Sequence, residues 1–301
     1  MKTALVALCL AGCVLGSQTV ACQRAPNVSR ASAAPRVDTA TITVNGAPLY
    51  YESAGTGPVV VLIHGGNLDS RMWDPQFLAF AREHRVIRYD VRGFGRSGPA
   101  DAPWQAHEDL YALLGALKVD RTSLVGLSLG GRIAIDFALA HPSMVDRLVL
   151  AAPGLSGWKF ANRDTSWYGD VRPALDRGDF AGVAEAWLKS DYMRPAMEHP
   201  ELAPRLRELA RANAPYWKGA FQHGDSERVA VPPALHRTGM LRARTLLVVG
   251  TRDNSDIMGI ADSLSATVPG IRRVMVEGAG HMLNMEQPAR FTDLVLVFLR
   301  P

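Results

Sequence analysis

Three residues of this chain could together carry out acyl transfer: Ser128, Asp253 and His281. Ser128 lies in Gly126-Leu127-Ser128-Leu129-Gly130-Gly131, between the apolar, β-prone run 122–125 and the helix-periodic segment 133–140. A serine on so sharp a strand-to-helix turn is held in a strained backbone conformation that projects its hydroxyl clear of the sheet. Glycines on either side keep Cβ atoms out of the crossing. The hydroxyl needs a base to take its proton, and an imidazole suits that task near neutral pH. His281 stands in the glycine-rich loop Glu277-Gly278-Ala279-Gly280-His281, between a strand expected to be buried and the last helix. His107, His141, His199, His223 and His236 read as surface residues in helical or cap-like contexts, and His84 fits a helix-to-strand connection.

The base needs a carboxylate to fix its tautomer and stabilise the imidazolium. Asp253, just past the strand 245–249, is the natural candidate. Asp256 is the fallback, because it could equally cap the following helix. The stretch 151–156 contains no Asp or Glu. The chain order Ser128, Asp253, His281 is the order that accompanies a nucleophile elbow. An oxyanion would find one donor at the backbone N–H of Leu129, the first residue of the helix after the elbow. The second should come from the turn after His64, with Gly66 the first choice and Asn67 the next. His64 itself reads as a residue bonding within its loop. Asp90 and Arg92 read as an ion pair or a hydrogen-bonded corner holding the glycine loop 93–98.

The elements that must position these residues alternate. Residues 39–44 and 48–53 flank Asn45-Gly46, a strong signal for an opening hairpin. The run 59–63, Val-Val-Val-Leu-Ile, is a strand with both faces covered. A helix over 73–81 follows, with Asp74 as expected N-cap and Pro75 in its first turn. Then come a strand at 85–89, a helix at 106–117 with Leu110, Leu113, Leu114 and Leu117 on one face, and the strand and helix around Ser128. A buried strand at 145–151 stops at Pro153-Gly154. Alternation resumes with a strand at 245–249, a helix at 256–266, a strand at 272–276 and a closing helix at 288–300 striped by Phe291, Leu294, Val295, Phe298 and Leu299. Between 157 and 240 lie helix-length segments, including 183–188 and one marked by Leu202, Leu206, Leu209 and Asn213, with many aromatics. Such alternation implies a mostly parallel sheet covered on both faces, with ligands bound beyond the carboxyl ends of its strands. His64, Asp90, Ser128, Asp253 and His281 all fall just past such ends.

The formal net charge of +4 over 301 residues, without a dense Lys/Arg cluster, argues against nucleic acid as a partner. The N-terminus reads as a secretory signal over 1–21, because its apolar run 4–15 is too short to span a bilayer. All three cysteines, Cys9, Cys13 and Cys22, fall in or at the end of it, so no disulfide is available to the rest of the chain. Leu10-Ala11-Gly12-Cys13 and Thr19-Val20-Ala21-Cys22 both resemble bacterial lipoprotein signals, against ordinary cleavage near Ala21. The expectation is an exported protein, periplasmic, envelope-associated or secreted, touching a membrane only through an N-terminal lipid. Residues 22–38 read as a flexible tether.

His64-Gly65-Gly66, Tyr89-Asp90-x-Arg92-Gly93-x-Gly95-x-Ser97, Gly126-x-Ser128-x-Gly130-Gly131, Gly250-x-x-Asp253 and Gly278-x-Gly280-His281 together resemble the α/β-hydrolase superfamily, and its capped, single-domain esterase- and lactonase-like members in particular. The motifs span residues 39–301 and specify the fold far better than the substrate. The resemblance implies a mostly parallel twisted sheet with helices on both faces, built from 39–156 and 241–301. It also implies a helical cap over 157–240, inserted after the sixth strand. The implied triad is Ser128, Asp253 and His281, with oxyanion amides at Leu129 and at Gly66 or Asn67; no metal or organic cofactor is implied. Leu129 stands where the family usually carries Met or another apolar residue, a mild departure. Serine at the nucleophile position argues against haloalkane dehalogenases and epoxide hydrolases, which attack through a carboxylate. The expected activity is hydrolysis of a carboxylic ester, lactone or thioester through an acyl-enzyme. Carbon–carbon bond hydrolysis on the same triad, or a ligand-binding, receptor-like chain with slow turnover, are the alternatives.

Overall fold

The structure, a computed structural model, describes residues 35–161, 165–217 and 226–300. The leader, most of the tether, the three cysteines and His223 lie outside them. The opening hairpin forms as its turn sequence dictates: β1 (Val37–Val44) pairs antiparallel with β2 (Ala47–Ala54) around Asn45 and Gly46, at φ 47° and 80°. Positive φ at both central residues matches the twist of the flanking strands.

Six strands follow: β3 (Val59–Ile63), β4 (Arg85–Tyr89), β5 (Thr122–Leu127), β6 (Val145–Ala151), β7 (Arg244–Gly250) and β8 (Arg272–Val276). They complete an eight-stranded sheet in the order β1-β2-β4-β3-β5-β6-β7-β8. β2 meets β4 antiparallel, and from β4 onward every neighbouring pair is parallel. The interior strands β3, β5 and β7 are buried nearly throughout, which is why they are β-branched or leucine at almost every position. β8 had the look of another buried strand, but it forms the sheet edge and most of its residues are half exposed.

The helices α1 (Asp74–Phe80), α2 (Ala106–Ala116) and α3 (Leu129–Ala140) connect the early strands. Between β6 and β7 the chain inserts α4 (Tyr168–Asp176), α5 (Phe180–Leu188), α6 (Arg194–Met197) and α7 (Ala203–Asn213). α8 (Ser255–Thr267), the single turn α9 (Leu283–Glu286) and α10 (Pro288–Leu299) complete the described helices. The α10 stripe behaves as its spacing demands, with Phe291, Val295, Phe298 and Leu299 buried. None of the described helices is long and apolar enough to cross a membrane.

One expected cap is corrected, and the capping alternative for Asp256 does not hold. Asp74 does not cap α1, whose N-cap is Trp73; its carboxylate instead holds Arg88 at 2.6 Å and Arg205 at 2.5 Å. Two arginines offer a carboxylate more than one backbone amide does. Asp256 does not cap α8 either; Asn254 does, accepting the Ile257 N–H at 3.0 Å, while Asp256 accepts the Ala161 N–H.

Candidate active site

The elbow holds its serine in a conformation that L side chains rarely adopt. Ser128 has φ 54° and ψ −113° at the junction of β5 and α3. Two close approaches explain the glycines around it. A Cβ on Gly126 would lie 2.2 Å from the Gly130 carbonyl oxygen, and one on Gly130 would lie 2.1 Å from that of Ile63. The turn is locked from outside by the Ser128 N–H donating to Ala151 O at 3.0 Å, and by Ser128 O accepting from Gly154 N and Arg132 N.

At the far end of the chain, Asp253 lies just past β7 and His281 in the loop between β8 and α9. Their side chains meet, with the imidazole Nδ1 3.0 and 3.1 Å from the two carboxylate oxygens. Both side chains are nearly inaccessible, 5% exposed for His281 and fully buried for Asp253. A carboxylate only accepts, so Nδ1 carries the proton and Nε2 is left as the basic nitrogen. Asp256, the fallback carboxylate, is not at the imidazole. The loop is tightly held: Gly278 N–H donates to Thr251 Oγ1, Arg252 N–H to Ala279 O, and Gly280 and Met282 N–H both donate to Glu286.

Ser128 and His281 line one cavity of about 390 Å³, walled by Gly65, Gly66, Asn67 and Leu129 beside the elbow. Gly66 packs against Leu129, since a Cβ there would touch the Leu129 side chain at 3.9 Å. The Leu129 N–H opens α3 and is one of the amides that a helix cannot satisfy internally. The Gly65 amide is already committed to Met72 Sδ at 3.1 Å. The insertion between β6 and β7 supplies further lining: Trp167, Trp187, Tyr192, Met193, Tyr216 and Trp217. Of these, Trp167 and Trp217 meet edge to face at 5.6 Å, so the aromatics that line the cavity are also the packing of the insertion.

The other residues singled out in the sequence are structural. His64 is fully buried; its Nδ1 faces Gly65 O at 2.7 Å and its Nε2 accepts the Val91 N–H at 2.9 Å. Burial holds its pKa below the ordinary imidazole value, as befits a ring that accepts from an amide. Asp90 does not pair with Arg92. It accepts the N–H groups of Ser70 and Arg96, forming the hydrogen-bonded corner, while Arg92 binds Asp109 at 2.8 and 2.9 Å. His107 is not a surface residue; it is buried, and burial lowers its pKa.

Four residues of the site were not read from the sequence. Tyr192 packs edge-on against the His281 ring at 4.9 Å. Arg132 and Glu227 form an ion pair of 2.6 Å in the cavity wall. Glu286 sits beneath the His281 loop. Arg132 lies four residues after Ser128, so its place one turn along the same helix face was readable from spacing; the other three carry no local signal. Among the described residues no group of three or more His, Cys, Asp or Glu side chains is placed to hold a metal ion.

The pattern that defines the Alpha/beta hydrolase family matches residues 60–294. A protein of Rhizobium rhizogenes named as a carbamate hydrolase, RutD, is 29% identical over 256 residues, covering 80% of this chain and 92% of that one. Among solved structures, a thermophilic esterase from Thermogutta terrifontis superimposes with a TM-score of 0.73 at 28% identity, over 87% of this chain and 98% of that one. The enol-lactonase from Burkholderia xenovorans shares the fold, with a TM-score of 0.70 at 24% identity over 86% and 99% of the two chains. Sheet order, elbow and family pattern agree, and the chain belongs to the alpha/beta hydrolase family.

Proposed function

We propose that this chain is a serine hydrolase that cleaves a carboxylic ester, lactone or thioester through an acyl-enzyme on Ser128. The observation that carries the reading is that His281, oriented by Asp253 at 3.0 Å, opens on the same cavity as a serine held at φ 54°. In the reaction, Ser128 Oγ attacks the substrate carbonyl carbon as its proton passes to His281 Nε2. The carbonyl oxygen becomes an oxyanion facing the amides of Leu129 and of Gly66 or Asn67. Collapse of the intermediate breaks the bond to the leaving alcohol or thiol, which takes the proton from Nε2. Water then attacks the acyl-enzyme, again giving its proton to Nε2; the acyl C–Oγ bond breaks, Oγ takes that proton back, and the acid leaves. The aromatic wall favours substrates with a substantial apolar portion.

Ser128→Ala tests this directly. It should lower turnover of p-nitrophenyl esters by several orders of magnitude, and it should abolish labelling by a fluorophosphonate. Retained turnover would refute the triad, and a wild-type chain that never labels would favour the ligand-binding alternative. We further infer that the chain is exported by its leader, with lipidation at Cys22 or Cys13 and ordinary cleavage near Ala21 as the two fates to be separated. Metabolic labelling with a fatty-acid analogue checks this, and an unlabelled mature protein would count against lipidation.

A further inference from the structure

Glu286 is a buried carboxylate to which the reaction assigns nothing. Its side chain is 1% exposed. One oxygen, Oε2, accepts the Gly280 N–H at 2.8 Å, and the other, Oε1, accepts the Met282 N–H at 3.0 Å. These are the amides immediately before and after His281, so a single carboxylate grips the backbone on both sides of the imidazole. Gly280 is confined further, because a Cβ there would lie 2.5 Å from Pro195 of the insertion and 3.3 Å from Glu286 Oε1. Burial raises the carboxyl of Glu286 above its usual range, against the lowering effect of the two amides and of His199, whose Nε2 lies 4.0 Å away. The chain therefore keeps a costly acid in a place where two acceptors on one rigid group are required.

We propose that Glu286 is a positioning residue for His281: by accepting the amide on each side, its carboxylate fixes the loop so that the ring meets Asp253 with Nδ1 and presents Nε2 to Ser128. The proposal rests on the triad reading above. A carboxyl group of this length reaches both amides with its two oxygens. A glutamine offers one acceptor and turns N–H groups toward a donor, an aspartate is a methylene short, and a leucine offers neither acceptor. Because His281 serves both acylation and deacylation, a loosened ring slows both steps while the substrate walls stay unchanged.

The test uses the full chain with a p-nitrophenyl ester and a fluorophosphonate probe. Glu286→Gln should lower kcat by about ten- to a hundredfold with KM within about twofold, because small misplacements of a catalytic group cost rates of this size. Glu286→Leu should lower kcat further, and the His281 Nδ1 proton resonance should shift or broaden in both. Circular dichroism checks the fold, and where the leucine variant does not fold the glutamine variant decides. In a His281→Ala background, Glu286→Gln should change the residual rate by less than about twofold, since no ring remains to position. A purely structural carboxylate would instead lower activity equally in both backgrounds, which would overturn the proposal. A wild-type chain that labels with the probe, alongside a Glu286→Gln variant of full kcat, would overturn this inference alone. A wild-type chain that neither labels nor hydrolyses esters would overturn the triad and this inference together.

Discussion

The strain at Ser128 gives a prediction that separates catalysis from stability at one residue. A side chain at φ 54°, ψ −113° costs about 1–3 kcal/mol, while replacing alanine with glycine at an unstrained site costs about 0.5–1 kcal/mol through the entropy of the unfolded chain. Ser128→Gly should therefore be the more stable of two inactive variants, above Ser128→Ala by about 1 kcal/mol. That is a rise in Tm of about 1.5–2 °C for a chain of this size, measurable by calorimetry. The elbow glycines run the other way. Gly130→Ala must push the Ile63 carbonyl from 2.1 Å, and the variant should lose both stability and ester turnover. These residues were readable from sequence because their function is local: the turn needs its glycines within two positions of the serine. His281 and Asp253 were readable because each follows a strand. Glu286 was not, because its partners are backbone amides whose direction is set by a loop with no periodicity. His107 looked exposed because nothing in its own helix predicts what packs over it.

At the scale of elements, a polar junction ties two loops of the core to the insertion. Asp69, in the loop after β3, accepts from Arg71 and from Asn213 Nδ2 at 2.8 Å, and Asn213 Oδ1 accepts the Gly95 N–H at 2.8 Å. Asn213, at the end of α7, was legible only as one position of a helical stripe; nothing in that spacing shows that its amide spans two loops. Burial alone would raise the Asp69 carboxyl, but hydrogen bonds from Arg71 and Asn213, with the Arg71 charge, outweigh it and hold the group below its usual range. A carboxylate depressed in the folded state contributes stability that is complete above its unfolded value, about 3.9, and is lost as pH falls through the lower folded value. Wild-type Tm should accordingly fall as pH drops below about 4, and Asp69→Asn should be less stable at pH 7 with a shallower acid limb. An unchanged acid limb in the variant would place the acid sensitivity elsewhere. Asn213→Ala should cost about 1–3 kcal/mol by leaving Asp69 and the Gly95 amide short of partners, seen as a lower denaturant midpoint at constant slope.

For the whole molecule, the sheet was legible because parallel strands buried on both faces read as apolar runs. The cavity was not, because it is made where the insertion meets the core. The Arg132–Glu227 pair shows what such a junction adds. Arg132 belongs to the helix that follows Ser128, while Glu227 belongs to the returning arm of the insertion, bridged to Trp104. The two side chains are 14% and 12% exposed and lie in a cavity otherwise walled largely by apolar groups. A carboxylate on the substrate would meet Glu227 as well as Arg132, so the wild-type cavity should favour neutral acyl groups. Glu227→Gln removes one acid from beside Arg132 and leaves Asp136 at 3.6 Å. The ratio of kcat/KM for a succinate half-ester over the matching butyrate ester should then rise by about tenfold, the equivalent of about 1.4 kcal/mol. Taking a ratio on one variant cancels any loss of folded protein. Arg132→Met should move the ratio the opposite way. A ratio unmoved by either substitution would mean that the pair only fastens the insertion to α3 and never meets the acyl group.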